Sequence, residues 1–288
     1  MPSQLDSLRS WNPSLPARLG HSTLCPTLAV SSGKGGVGKS HIALSMALAL
    51  ADLDRRILLV DGDMGLANLH ILCGLHPKAD LDDVLAGRAT PSQALLSVGP
   101  GVDLLPSASG VAQLSSLPPE RLNTLTRALG ELQSGYDLAI VDTGAGIGET
   151  TMNLVMASDR LLLVTTPEPT AQADAYALLK VLRSQRKDLS VGVCVNMAAS
   201  EEEAASCQSR LIQVCGRFLS WEPSLAGWIP RQAGLERHVL ERRPAFRAAP
   251  DSAFARAIRT LAREAAGDLP SGSGFFERLS ETSSRDRP

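Results

Sequence analysis

Two hydrophobic rhythms alternate along the chain. Short unbroken apolar runs recur at Leu28-Ala29-Val30, Ile57-Leu58-Leu59-Val60, Leu138-Ala139-Ile140-Val141 and from Ser190 to Val195, with shorter ones at Val102 to Leu105 and Gly227-Trp228-Ile229-Pro230. Runs without polar alternation are those of strands covered on both faces. Between them lie segments of helical character: Ile42 to Leu48, Pro119 to Leu132 with proline at its start, and Asp174 to Lys180. Strand and helix in alternation predict an α/β fold, a mainly parallel twisted sheet flanked by helices on both faces of a single domain. Pro2, Pro13, Pro16 and Pro26 set off residues 1–26 as a flexible segment with a short helix at Gln4 to Arg9, and the domain occupies residues 27–266. Pro, Gly and Ser beyond Gly267 predict a flexible tail over 267–288, ending in a stub whose apolar positions are Phe275, Phe276 and Leu279.

The first strand and first helix are joined by Gly33-Lys34-Gly35-Gly36-Val37-Gly38-Lys39-Ser40, followed by His41. This fits G-x-x-x-x-G-K-[ST]. Glycines there let successive backbone N–H groups curl around phosphates, the lysine reaches the β/γ oxygens, and the hydroxyl holds Mg²⁺. The predicted fold is thereby narrowed to a P-loop nucleotide-binding domain, with Gly33 through His41 as its cofactor-binding stretch. Gly33, Gly35 and Gly38 also stand as G-x-G-x-x-G, with Asp61 at the distance where a dinucleotide fold places its ribose acid. A dinucleotide site has no use for a cation beside the third glycine, so Lys39 and Ser40 favour the triphosphate.

Acids close two of the buried strands. Asp61 and Asp63 follow Val60, and alternation points both carboxylates to one side, at the strand end where open α/β sheets bind ligands. Like charges so close need a cation or a proton-transfer role to compensate them. Asp142 ends the run Leu138 to Val141, where a Mg²⁺-linked carboxylate of a P-loop enzyme belongs. The candidate metal set is Ser40, Asp61 and Asp142, and the implied cofactors are ATP and Mg²⁺.

Composition changes this picture little. A formal charge of −2 on 288 residues gives no global pull toward nucleic acid or anionic lipid, and no direct nucleic-acid motif is present. Arg231, Arg237, Arg242, Arg243, Arg247, Arg256, Arg259 and Arg263 concentrate positive charge late in the chain, read either as a solvated helical face or as a docking surface. Cys25, Cys73, Cys194, Cys207 and Cys215 contain no C-x-x-C pair, as expected of reduced thiols in a cytoplasmic protein. His70 and His76 have no third ligand at metal spacing, and no apolar run approaches the ~20 residues needed to span a bilayer.

The G-K-G-G-x-G-K-S loop resembles the deviant Walker A motif of the MinD/ParA ATPases, which implies that Lys34 reaches across an ATP-dependent homodimer to the partner's phosphates. A second cation there would neutralise charge on the transferred phosphoryl group only after dimerisation. The same resemblance implies that Asp61 helps order the Mg²⁺ shell, that Asp63 orients or activates the attacking water, and that Asn196 reads adenine. Gln232 stands where the family has an acid at the other half of the adenine pocket. The catalytic set is therefore Asp63, Lys34 and Lys39.

Met64 to Leu69, Leu75-His76-Pro77 and Leu81 to Gly87 resemble the flagellar regulators and MinD more than plasmid ParA proteins, and Asp142 to Ile147, Val164 to Thr170 and Asp174 to Lys180 resemble the FlhG/FleN flagellar-number regulators within that family. Ser3 to Arg9 is similar to their D-Q-A-x-x-L-R element, with Ser3 and Leu5 replacing Asp and Ala. The resemblance implies an ATPase whose dimerisation switches partner binding and controls flagellar number or placement. Its partners would be a signal-recognition-type GTPase, a flagellar switch protein or a transcription activator. A peripheral contact with the inner face of the cell membrane, through the C-terminal stub, is a further expectation. The alternatives are a MinD-like division-site or ParA-like cargo-positioning ATPase, a nucleotide-gated binding module with negligible turnover, and a dinucleotide oxidoreductase.

Overall fold

A computed structural model describes residues 25–63, 69–106, 119–267, 272 and 274–285. The elements run β1 (Thr27–Ser32), α1 (Lys39–Ala51), β2 (Ile57–Gly62), α2 (Leu69–Leu72), α3 (Leu81–Leu85), α4 (Pro91–Ala94), β3 (Leu96–Gly99) and β4 (Val102–Leu105). They continue with α5 (Pro119–Gln133), β5 (Leu138–Ala145), α6 (Glu149–Ala157), β6 (Arg160–Thr165), α7 (Pro169–Gln185), β7 (Ser190–Ala198), α8 (Glu201–Leu219) and β8 (Ser224–Pro230). Helices α9 (Leu235–Leu240), α10 (Ala245–Ala248), α11 (Ala253–Ala266) and α12 (Phe275–Arg285) complete the chain. The predicted helix at Gln4 to Arg9 and the segment Met64 to Asn68 lie outside the described residues.

Eight strands form one sheet in the order β3-β4-β2-β5-β1-β6-β7-β8. Every pairing is parallel except that of β3 with β4 at the edge. The central strands are apolar on consecutive positions because each pleat face has its own helical layer. Leu28, Val30, Ile57, Leu59, Ile140 and Leu162 pack with α1 and with Phe246 and Phe254 of α10 and α11. Ala29, Leu161, Leu163 and Val193 face α6, α7 and α8 on the other side. Every residue of α1 from Ile42 to Leu50 is buried, since the helix is sandwiched between the sheet and α11.

The C-terminal residues depart from the flexible stub that the sequence predicts. Residues 275–285 form α12, which packs on α5 and α6, with Phe275, Phe276 and Leu279 all 5 % exposed or less. The three apolar positions share one helical face, and that face fills a groove with Leu129 and Ala157 rather than facing solvent. The phenyl rings meet edge to face at 5.0 Å. Arg278 fixes the helix in place by donating from Nε to the Ala157 carbonyl at 2.7 Å and pairing with Asp159 at 3.0 Å. The apolar face expected to meet lipid is therefore internal in this conformation.

Several surface and core expectations resolve simply. Cys25, Cys194, Cys207 and Cys215 are buried free thiols whose ionisation is pushed up by burial, as for small core residues. In the arginine-rich stretch, Arg247 pairs with Asp52 and Arg237 with Glu241, while Arg256 and Arg259 donate to the carbonyls of Asp251 and Pro250. No helix among the described residues is long and apolar enough to cross a membrane.

Candidate functional site: a phosphate loop facing three carboxylates

The loop between β1 and α1 is built by glycine where nothing else fits. Gly36 and Gly38 sit at φ +80° and +87°, the left-handed region that favours glycine. A Cβ on Gly38 would stand 2.4 Å from Nδ2 of Asn196, and one on Gly33 would stand 2.2 Å from the carbonyl carbon of Asp174 in α7. Gly38 caps α1 without a side-chain hydrogen bond, and the first turn of α1 contains no acid. The backbone N–H groups at this helix start are thus oriented for an anion.

Neighbouring strands deliver the carboxylates. Asp61 of β2 and Asp142 of β5 are direct partners in the parallel ladder, both buried. Asp61 accepts hydrogen bonds from the backbone N–H groups of Asp63 and Leu69, each at 3.2 Å. The ammonium of Lys39 lies 3.5 Å from Asp63 and 3.5 Å from Asp142. Burial, with Asp142 close by, pushes the Asp61 carboxyl up to about 7. Burial pushes Asp142 up to about 6, against the pull of Lys39 and a hydrogen bond with Ser40. Three acids thus stand together with the Lys39 ammonium beside two of them, Asp63 and Asp142, and the buried Asp142 Oδ1 that it approaches at 3.5 Å makes no hydrogen bond.

A hard divalent cation fits this cluster of buried oxygen donors. No group of three His, Cys, Asp or Glu among the described residues makes a complete metal cage. Mg²⁺ does not need one, because it keeps waters and is held by one or two carboxylates together with substrate phosphates. Ser40, Asp61 and Asp142 are the residues that would hold it here, through oxygen atoms only, and the ion would supply charge neutralisation on the phosphates.

The raised carboxyls also fix a pH dependence. A carboxyl whose folded-state value lies above its ordinary 3.8 binds more protons folded than unfolded, so stability falls as pH rises through that window. Without nucleotide or divalent cation, melting temperature should decline between about pH 4 and pH 7 from this cluster. Asp61→Asn should flatten that slope. Thermal melts of both proteins across this range check it; equal slopes would show that Asp61 does not carry the effect.

Other site residues settle as follows. Asn196 donates from Nδ2 to the Val37 carbonyl at 2.8 Å, so it ties β7 to the phosphate loop. Gln232 accepts from the backbone N–H of Phe254 at 3.2 Å, so its oxygen serves the start of α11. His41, in the first turn of α1, has its imidazole pushed toward the neutral form by burial. Lys34 pairs with Glu168 at 2.6 Å and Thr170 at 2.8 Å, on α7 rather than among the carboxylates. A cleft of about 430 Å³ opens in front of the loop, lined by Gly36, Val37, Thr166, Glu168, Met197 and Arg231. The pairing of Glu168 and Thr170 with Lys34 has no motif, although Pro167-Glu168-Pro169 signals a rigid helix start. The dinucleotide reading fails, because both oxygens of Asp61 are engaged by backbone N–H groups inside the core, where no ribose reaches.

A family model described as an AAA domain matches residues 25–192. The antiactivator FleN of Pseudomonas aeruginosa is 38% identical over 237 residues, which cover 82% of this chain and 85% of FleN. The chain belongs to the MinD/ParA family of P-loop ATPases. The flagellum site-determining protein YlxH of Helicobacter pylori is 35% identical over 263 residues, 88% of each chain. Among solved structures of the family, the cell division ATPase MinD of Pyrococcus furiosus superposes with a TM-score of 0.67 at 27% identity, over 83% of this chain and 98% of that one. The Pyrococcus horikoshii MinD complexed with Mg-ADP gives 0.67 at 27% identity over 84% and 96%. As a MinD/ParA ATPase the chain hydrolyses ATP, and nucleotide with Mg²⁺ is its general ligand.

Proposed function

We propose that this ATPase is a dimerisation switch that controls flagellar number or placement, and that ATP, held with Mg²⁺, closes two copies face to face. The observation that carries the reading is the separation of the two loop lysines. Lys39 is buried against Asp63 and Asp142, while Lys34 stands partly exposed at the front of the loop, paired with Glu168 instead. A cation placed there is better situated to meet a second chain's phosphates than its own. Asp61 and Ser40 serve the metal shell, Asp142 completes it, and Asp63, 23 % exposed, positions the attacking water.

The flagellar assignment draws on similarity to FleN and YlxH over more than four fifths of the chain. A transcription activator is the partner class that FleN's description as an antiactivator suggests; a signal-recognition-type GTPase and a flagellar switch protein are the other partner classes proposed. The dimer-dependent face is the surface around the cleft.

Lys34→Ala is the test of the two-lysine reading. The variant should keep ATP affinity within a few-fold while losing turnover and the ATP-dependent dimer, measured by nucleotide titration, phosphate release and gel filtration. A loss of affinity as deep as that of a Lys39 variant would show that Lys34 contacts nucleotide within one chain.

A further inference from the structure

Lys34 lies between Gly33, Gly35 and Gly36, so the loop itself does nothing to fix a four-carbon side chain with high rotamer entropy. Its ammonium is nevertheless held. Nζ donates to Glu168 Oε1 at 2.6 Å and to Thr170 Oγ1 at 2.8 Å, and the Thr170 hydroxyl donates to the same Glu168 oxygen at 2.7 Å. Glu168 is itself anchored, being the N-cap residue of α7 between Pro167 and Pro169, with the Pro167 carbonyl accepting from Gln172 Nε2 at 2.8 Å. The proline at the first helical position fixes the backbone there. The root of the side chain is referenced to the same helix, since Gly33 abuts the backbone of Asp174 and Ala175 so closely that no Cβ fits.

From this geometry we infer that Glu168, assisted by Thr170, is a positioning residue for Lys34 in the ATPase reaction: α7 sets both ends of that lysine. An ammonium has three N–H donors. Two are committed to the cradle, and the third is left for a phosphate oxygen approaching the cleft that Glu168 and the loop glycines line. The inference rests on the reading that Lys34 acts on the partner's nucleotide. A cradle exposed to water contributes modestly, so the expected effects are several-fold rather than orders of magnitude.

The test uses the full chain and two readouts. Steady-state ATP hydrolysis should show Glu168→Ala with kcat lowered roughly fivefold and KM for ATP within about twofold of wild type, at an unchanged melting temperature. Glu168→Gln, which keeps an acceptor but not the charge, should recover part of the rate. Thr170→Val, which leaves the helix cap in place, should shift kcat the same way by less. In the nucleotide-free protein, acetylation of the Lys34 amine, followed by mass spectrometry, should speed up several-fold in Glu168→Ala while the other lysines keep their rates. An unchanged or raised kcat, or unchanged labelling of Lys34, overturns the inference. If instead Lys34→Ala hydrolyses ATP at the wild-type rate, the underlying reading of Lys34 fails, whatever Glu168 does.

Discussion

Lys39→Ala is expected to bind ATP at least a hundredfold more weakly than wild type while remaining folded. The lysine places its ammonium 3.5 Å from both Asp63 and Asp142. On the proposed reading it also meets the β/γ oxygens of its own chain's nucleotide, with backbone amides as the neighbouring donors. Charge-assisted hydrogen bonds to phosphate are about twice as strong as neutral ones, and their loss in a site nearly closed to water is not made up by solvent. Removing Lys39 also takes its ammonium away from Asp63 and Asp142, which drives the already raised Asp142 carboxyl higher still. The metal shell is then impaired as well. Titration with a fluorescent ATP analogue, alongside thermal melting to confirm folding, checks the expectation. Near-normal affinity would mean that the phosphates sit elsewhere.

Asp63→Ala should separate binding from chemistry. Asp61 and Asp63 leave the same strand end, yet they differ in surroundings: Asp61 is fully buried and accepts two backbone hydrogen bonds, whereas Asp63 retains 23 % exposure. An internal carboxylate held by two backbone N–H groups, with a lone pair left on each oxygen, suits a fixed metal shell. A carboxylate open to solvent suits a mobile water. The variant is therefore expected to bind Mg-ATP with near-wild-type affinity and to lose turnover by on the order of a hundredfold or more, as for a missing general base. Asp61→Ala should instead weaken Mg²⁺ dependence and nucleotide binding together. Single-turnover hydrolysis with saturating Mg-ATP distinguishes the two; wild-type turnover in Asp63→Ala would remove it from the mechanism.

The fold was largely legible because each central strand is an apolar run bounded by turn residues, and because β1, the loop and α1 form a motif of fixed spacing. Asp61 and Asp142 were legible as strand-end acids, and the register that pairs them directly confirms why they fall together. What the sequence concealed depends on contacts between distant segments. The antiparallel edge strand β3 has only four residues of mixed polarity, so it has no period to detect. Phe275, Phe276 and Leu279 read as an exposed stub, since nothing local states that α5 and α6 leave a groove for them. Asn196 was legible as a site residue by resemblance, but its bond to Val37 spans 159 positions and has no signature. The pairing of Lys34 with Glu168, 134 positions away, was invisible for the same reason.

The central claim, a nucleotide-driven dimer, is tested most directly by light scattering on a sizing column with Asp63→Ala, which should trap the ATP state. In saturating Mg-ATP the variant should elute with the mass of two chains; in Mg-ADP, or without nucleotide, it should have the mass of one. Introducing Lys34→Ala into the same protein should return it to one chain in Mg-ATP. A protein that binds Mg-ATP and remains a single chain, or that is a dimer in every nucleotide state, would contradict the account.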